Sequence, residues 1–279
     1  MAFNDNQNYN NGQNNYYQGY NQGYNQNYNQ NYNQGYNQNY TQNYNQNYNQ
    51  GYNGYNSGYA QSQSSYREVS PTAYNLALGG TLFYGFIVNC LMVQFGFNAI
   101  ADLFISSPIF FYIAYFAMVI IGTTMINKSD SAVVSFVGYN LIVLPLGMII
   151  ALVVNTYVMA GYASTVSTAF AITAIVTLIM MFVSSFAPSF FLSIGRTLGV
   201  TLLVTLIVEL IMGFIGFDLG LIDYIVVLIF CGYIGYDWAK ANALPKTYDN
   251  AIDSAANLYV DIVNLFIRIL RILARSQNN

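Results

Sequence analysis

The chain of 279 residues contains no histidine. That absence excludes Ser-His-Asp and Cys-His catalysis and removes the commonest metal ligand. Cysteine is scarce too. Cys90 and Cys231 stand far apart, each inside an apolar run. They read as small core hydrophobes, and neither a disulfide framework nor a thiolate metal site can be built from them. Charge is the third scarcity. Asp, Glu, Lys and Arg make up 7% of the chain, against roughly 25% in soluble domains. The 8 basic residues are scattered and the net charge is −3, so no nucleic-acid footprint is present. No basic amino-terminal region precedes a hydrophobic run, so no secretory signal peptide is expected. The first apolar run, beginning near Ala73, reads as an uncleaved span.

What is present divides the chain in two. Residues 1–66 are almost entirely Asn, Gln, Tyr and Gly, and from Tyr20 to Tyr52 a tyrosine recurs at every fourth position. Without aliphatic side chains to bury, this tail cannot offset the entropy of ordering, and it is expected to be disordered. Asn and Gly between the tyrosines argue against a helix with a tyrosine face. The composition is of the self-associating, prion-like kind. A clustering or interaction tail and an expanded repeat of no specific role both remain open.

Residues 67–279 hold nearly all the Leu, Ile, Val, Met and Phe. Long apolar runs with so little charge indicate an integral membrane protein. Seven segments are expected near 73–95, 108–126, 131–154, 164–184, 194–216, 219–238 and 254–273. Pro145, followed by Gly147, predicts a kink or break in the third. Gly195 and Gly199 in the fifth, like Gly232 and Gly235 in the sixth, permit close helix approach. If seven spans alternate, Arg67, Lys128, Arg196, Lys240 and Lys246 fall on one side, and the opposite loops carry no Lys or Arg. By the positive-inside rule the amino terminus is cytoplasmic, in a pattern that suits a bacterial plasma membrane. Arg271 and Arg275 break the pattern. Either the carboxyl terminus lies outside despite them or the last segment is re-entrant.

Ionisable groups inside spans are costly and face a bundle interior or a water-filled cavity. On the last segment Asp261, Asn264, Arg268, Arg271 and Arg275 recur at spacings of three and four, which makes one stripe on one face. Counting helix rise from a boundary near Lys240 and Ser254 places Asp237 about 5 Å deep and Asp261 about 10 Å deep on the same side. Two carboxyls that meet there cannot both ionise cheaply and would share a proton. Ionised, they form a hard-oxygen site that suits Ca²⁺ or another cation. Glu209 and Arg268 each come out roughly 20 Å deep, which suggests a structural ion pair, and Arg271 is placed to reach Asp102 at the start of the second span. The competing reading makes the last segment a basic amphipathic helix on the membrane surface. Asp261 and the breadth of its apolar faces weigh against that.

The run FCGYIGYDWAK (Phe230 to Lys240), the loop TYDNAIDSAA and the run LYVDIVNLFIRILRIL (Leu258 to Leu273) resemble the Bax inhibitor (transmembrane Bax inhibitor motif) family, bacterial type. AFAITA (Ala169 to Ala174) and the seven-segment layout are weaker echoes, and the resemblance covers roughly residues 67–275. It implies an all-α integral membrane fold in which six helices pack around a central seventh. It implies a pH-sensitive calcium leak gated by an aspartate pair, with Asp237 and Asp261 at those positions and Arg271 in the closing LRI pattern. Two departures stand out. The charged motif that opens the fifth span in relatives is here APSFFLSIGR (Ala187 to Arg196). The second span has no arginine near the acid pair, and Lys128 at its end is the nearest substitute.

The expected function is therefore a cation leak channel regulated by protonation, with calcium as permeant ion, no resident cofactor, and the bilayer as surroundings. The alternative is a non-transporting regulator that binds membrane proteases or stress factors. An intramembrane aspartyl protease is a poor fit. Tyr236-Asp237 matches its first motif, but Leu258-Tyr259-Val260 precedes Asp261 where Gly-x-Gly is needed. Ala243-Leu244-Pro245 permutes the required Pro-Ala-Leu and lies between the aspartates.

Overall fold

The computed structural model describes residues 68–216 and 220–277. The expectations for the tyrosine-rich tail and for Arg67 lie outside the described residues. Within them the secondary structure is helical throughout, in seven helices. These are α1 (Pro71–Ser106), α2 (Pro108–Lys128), α3 (Ala132–Met159), α4 (Ala163–Phe186), α5 (Pro188–Ile215), α6 (Gly220–Ala243) and α7 (Tyr248–Gln277).

Local chemistry explains the boundaries. Pro71, Pro108 and Pro188 open α1, α2 and α5, where a missing N–H costs nothing. Ser70 caps α1 through Ala73 N, at 3.2 Å. Gly216 ends α5 in the left-handed region, φ 81°, which glycine adopts without a Cβ penalty. Two expectations need correction. The first helix does not stop near residue 95; it continues to Ser106 through a π-helical turn at Met92–Gly96. Asn155 of α3 donates to Val93 O at 3.1 Å there, satisfying a carbonyl in that wider turn. Of the kink or break expected at Pro145, the break is absent. The third helix runs unbroken through that residue, whose side chain is buried, and packing against its neighbours holds what the lost backbone bond does not.

Six helices, α1 to α6, are long and apolar enough to cross a membrane. The seventh differs. It has 30 residues, but its six charged residues lower its hydropathy. It is nonetheless the helix with the most buried core. Leu258, Tyr259, Leu265 and Leu270 are fully buried, and α7 packs against α6, α1, α3 and α4. The expected ring of six is thus a ring of four. α2 rests on α3 and α5 rests on α6, outside that ring. Both outer contacts use glycine. A Cβ on Gly122 of α2 would stand 2.6 Å from Gly138 O of α3. Gly195 of α5 lies against the Tyr236 ring, and Gly235 of α6 against Phe191. The outward faces of α2 and α5 carry Ile113, Phe116, Leu203 and Leu210 in exposed positions, as lipid-facing surfaces do.

Candidate functional site

The short connection from α6 to α7 is tightly organised. Lys246 Nζ donates to Ala241 O and Asn242 O at 3.2 and 2.8 Å, capping the last carbonyls of α6. It also sits 4.5 Å from the centroid of the Tyr74 ring. Tyr74 donates to Ala241 O at 2.8 Å. Thr247 Oγ1 accepts from Asn250 N at 3.1 Å and so caps α7. These contacts set the register between the two helices that carry the aspartates.

Asp237 and Asp261 are 8% and 6% exposed, and their carboxyl groups are hydrogen-bonded to one another. A carboxylate only accepts, so that bond needs a proton on one of the two. The second oxygen of Asp261, Oδ2, is buried without a hydrogen-bond partner. Lys240 is a charge that acts on both Asp237 and Asp253. Lys128 is exposed in the last turn of α2.

Towards the other end of α7 lies a five-residue ionic cluster. Arg268 holds Glu209 of α5 in a two-pronged contact, 2.8 Å at each nitrogen. It also donates to Asp223 of α6 at 2.7 Å. Arg271 Nη1 reaches Glu209 and Asp223, both at 3.1 Å, and Arg275 also pairs with Asp223. Arg271 therefore does not pair with Asp102. That aspartate lies on α1 rather than at the start of the second span, and it is exposed. The sequence reading missed Asp223, which is 2% exposed and bonded by three arginines. It sits in the first turn of α6, where an acid also complements the helix dipole.

Two further acids were passed over. Asp249 and Asp253 precede the apolar stretch of α7. Ser135 of α3 donates to Asp249 Oδ1 at 2.7 Å, and Asp253 Oδ1 is buried without a partner. Burial, with the neighbouring Asp249 second, pushes the Asp253 carboxyl up to about 8. Burial likewise raises Asp249. The signal was there to find: Asp249, Asp253, Asn257 and Asp261 recur every fourth residue, one helical face. On that face Asp253, Asn264, Arg268 and Arg271 are half-buried and Asn257 is exposed. They fall between Asp249, which meets α3, and Asp261, which meets α6. A polar face of the central helix is thus left open between those two helices.

Fold and site together define an all-helical integral membrane protein whose central helix carries six charged residues. The family follows from comparison. A family model described as inhibitor of apoptosis-promoting Bax1 matches residues 67–279, and the chain belongs to that family. Among curated proteins, a BI1-like protein of Arabidopsis thaliana is 50% identical over 52 residues, 18% of this chain and 20% of that one. Protein LIFEGUARD 3 of the same plant is 46% identical over 54 residues, 19% and 21% of the two chains. Bax inhibitor 1 of Schizosaccharomyces pombe is 49% identical over 53 residues, 19% of each. The matched stretch spans about a fifth of each relative's length.

Proposed function

We propose that the protein is a pH-sensitive cation leak channel in which Asp237 and Asp261 sense protons and gate the path, with calcium as the permeant ion. In this reading residues 254–273 of α7 form a seventh span that Asp249 and Asp253 precede, the amino terminus is cytoplasmic, and the membrane is a bacterial plasma membrane. The observation that carries it is the buried carboxyl–carboxyl contact. With one proton the pair holds α6 to α7. Loss of that proton leaves two like charges in a poorly solvated place, and they separate. The separated carboxylates then face the open side of α7. Their oxygens are hard ligands that suit Ca²⁺, but two side chains supply fewer than the roughly six to eight oxygens a resident ion takes. Among the described residues no group of three or more His, Cys, Asp or Glu is placed to hold a metal. Such a site favours passage over retention. No step in this reading requires an enzyme.

The test is calcium flux into vesicles containing the purified protein, measured across pH. Wild type should pass Ca²⁺ at a pH-dependent rate, and Asp261→Asn or Asp237→Asn should flatten that dependence. A profile unchanged in both variants refutes the gate. No flux at any pH, together with reproducible co-purification of a membrane protease or stress factor, favours the non-transporting regulator.

A further inference from the structure

We infer that Asp253 operates a second proton-dependent contact, which clamps the first turns of α7 to the start of α3 and controls access to the acid pair from that end. Its effect on flux rests on the channel reading above; the contact itself does not.

The geometry is specific. Asp253 lies one helical turn beyond Asp249 and two turns before Asp261 on the same face of α7. Ser135 of α3 has a single hydroxyl hydrogen for two acids: it donates to Asp249 Oδ1 at 2.7 Å and also acts on Asp253. Asp253 Oδ1 is left buried with no donor. A charged carboxylate in that position is poorly satisfied, because buried acceptors need partners. The neutral acid is different. Its own O–H can donate to the neighbouring Asp249, which turns a repulsion into a bond. The charged and titratable groups that face Asp253 are Asp249 on its own helix, Asp130 in the turn before α3, and Lys240 on α6. Two of the three are acids.

The sign follows from the shift. A solvated aspartate titrates near 3.9, whereas burial and Asp249 raise Asp253 to about 8 when α3 and α7 are packed. The packed form therefore prefers the proton. Its advantage is full below pH ~4, falls as pH rises toward about 8, and changes no further above that. Across that window the packed-to-open ratio falls by at most about 10⁴-fold. The clamp opens as pH rises, with a midpoint no higher than about 8.

The experiment reads the clamp without flux. In the full chain in lipid vesicles, Cys90 and Cys231 are replaced by serine, and spin labels are attached through Val133→Cys and Tyr248→Cys. Both of those sites are exposed. Pulsed electron resonance then gives the label-to-label distance from about pH 5 to about pH 9. The short distance should dominate at low pH and yield to a longer one as pH rises. Asp253→Asn should hold the short distance at every pH. Ser135→Ala removes the one donor that stabilises the charged carboxylates, and should shift the midpoint down. Asp261→Asn should leave the distance transition in place. A wild-type distance that does not change, or an Asp253→Asn variant that titrates like wild type, overturns the clamp. Loss of pH-dependent flux with the distance transition intact bears only on the acid-pair gate.

Discussion

Replacing Asp223 with asparagine tests which acid of the ionic cluster holds the bundle together. Bond counting does not separate the two: Glu209 accepts two contacts from Arg268 and one from Arg271, and Asp223 accepts one each from Arg268, Arg271 and Arg275. Burial does separate them. Asp223 is 2% exposed, whereas Glu209 is 32% exposed at the side chain. Arg268, the shared partner, is 12% exposed. Removing one member of a buried pair leaves its partner's charge uncompensated and costs about 3–5 kcal/mol. Asp223→Asn does this to Arg268 and also strips Arg275 of an anion. Loss of an acid at the start of α6 adds about 0.3–1 kcal/mol through the helix dipole. Glu209→Gln leaves Arg268 bonded to Asp223. Its cost is that of a charge-assisted hydrogen bond, about 1.5–3 kcal/mol at most, reduced by the acid's exposure. The ordering can be read by SDS titration in mixed micelles, with helix content followed by circular dichroism. A double-mutant cycle between Asp223→Asn and Arg268→Gln should return a coupling of about 0.5–3 kcal/mol. If Glu209→Gln destabilises more than Asp223→Asn, the burial argument fails. If Asp223→Asn lies within about 0.5 kcal/mol of wild type, the cluster does not stabilise the fold at all.

The same unfolding assay checks two further substitutions. Gly122→Ala puts a Cβ 2.6 Å from Gly138 O, and backbone cannot step aside cheaply. The overpacking cost of about 1–3 kcal/mol should outweigh the helix-propensity gain of about 1 kcal/mol. Gly80→Ala, with nothing within 4 Å, should show that gain alone; equal effects at the two sites would remove close approach as the reason for Gly122. Tyr259→Phe takes the hydrogen from the 2.8 Å bond to Asn89 Oδ1 and leaves that 6% exposed side chain short of a donor. A loss of about 1–3 kcal/mol is expected, and adding Asn89→Leu should recover part of it. A neutral Tyr259→Phe would mean that Asn89 finds another donor.

The reasons some of this was legible in the sequence, and some was not, are geometric. Helix rise is constant, so depth can be counted along a chain without a structure. That count set Asp237 and Asp261 about 5 and 10 Å deep on one side and Glu209 level with Arg268, and the structure brings both pairs together. Applied to Asp223 it would have succeeded too. Asp223 lies about 26 Å from Lys240, and Arg271 lies about the same distance from Ser254. Asp223 went unnoticed because it sits at the edge of an apolar run, where an acid looks like an ordinary boundary. Asp102 shows the limit of the method. Depth says nothing about which helices are neighbours, and α1 carries Asp102 past the π-helical turn on an exposed surface.

Neighbours were hard to assign because lipid removes the usual signal. In water, a helix shows its core-facing side as an apolar stripe. Here α1 to α6 are apolar enough to meet lipid on any side, so their sequences do not say which face turns inward. Only α7 has two kinds of face. Its small and apolar residues, such as Ala251, Ala255, Leu258 and Leu265, are buried against four helices. Its polar face meets α3 through Asp249, α6 through Asp261 and α5 through Arg268. That asymmetry has a consequence for the channel reading. Each contact that closes the open side of α7 is ionisable, whereas the contacts that hold its back are not. A change in protonation can therefore part α7 from α3 or α6 on one side while the apolar packing on the other keeps the bundle assembled.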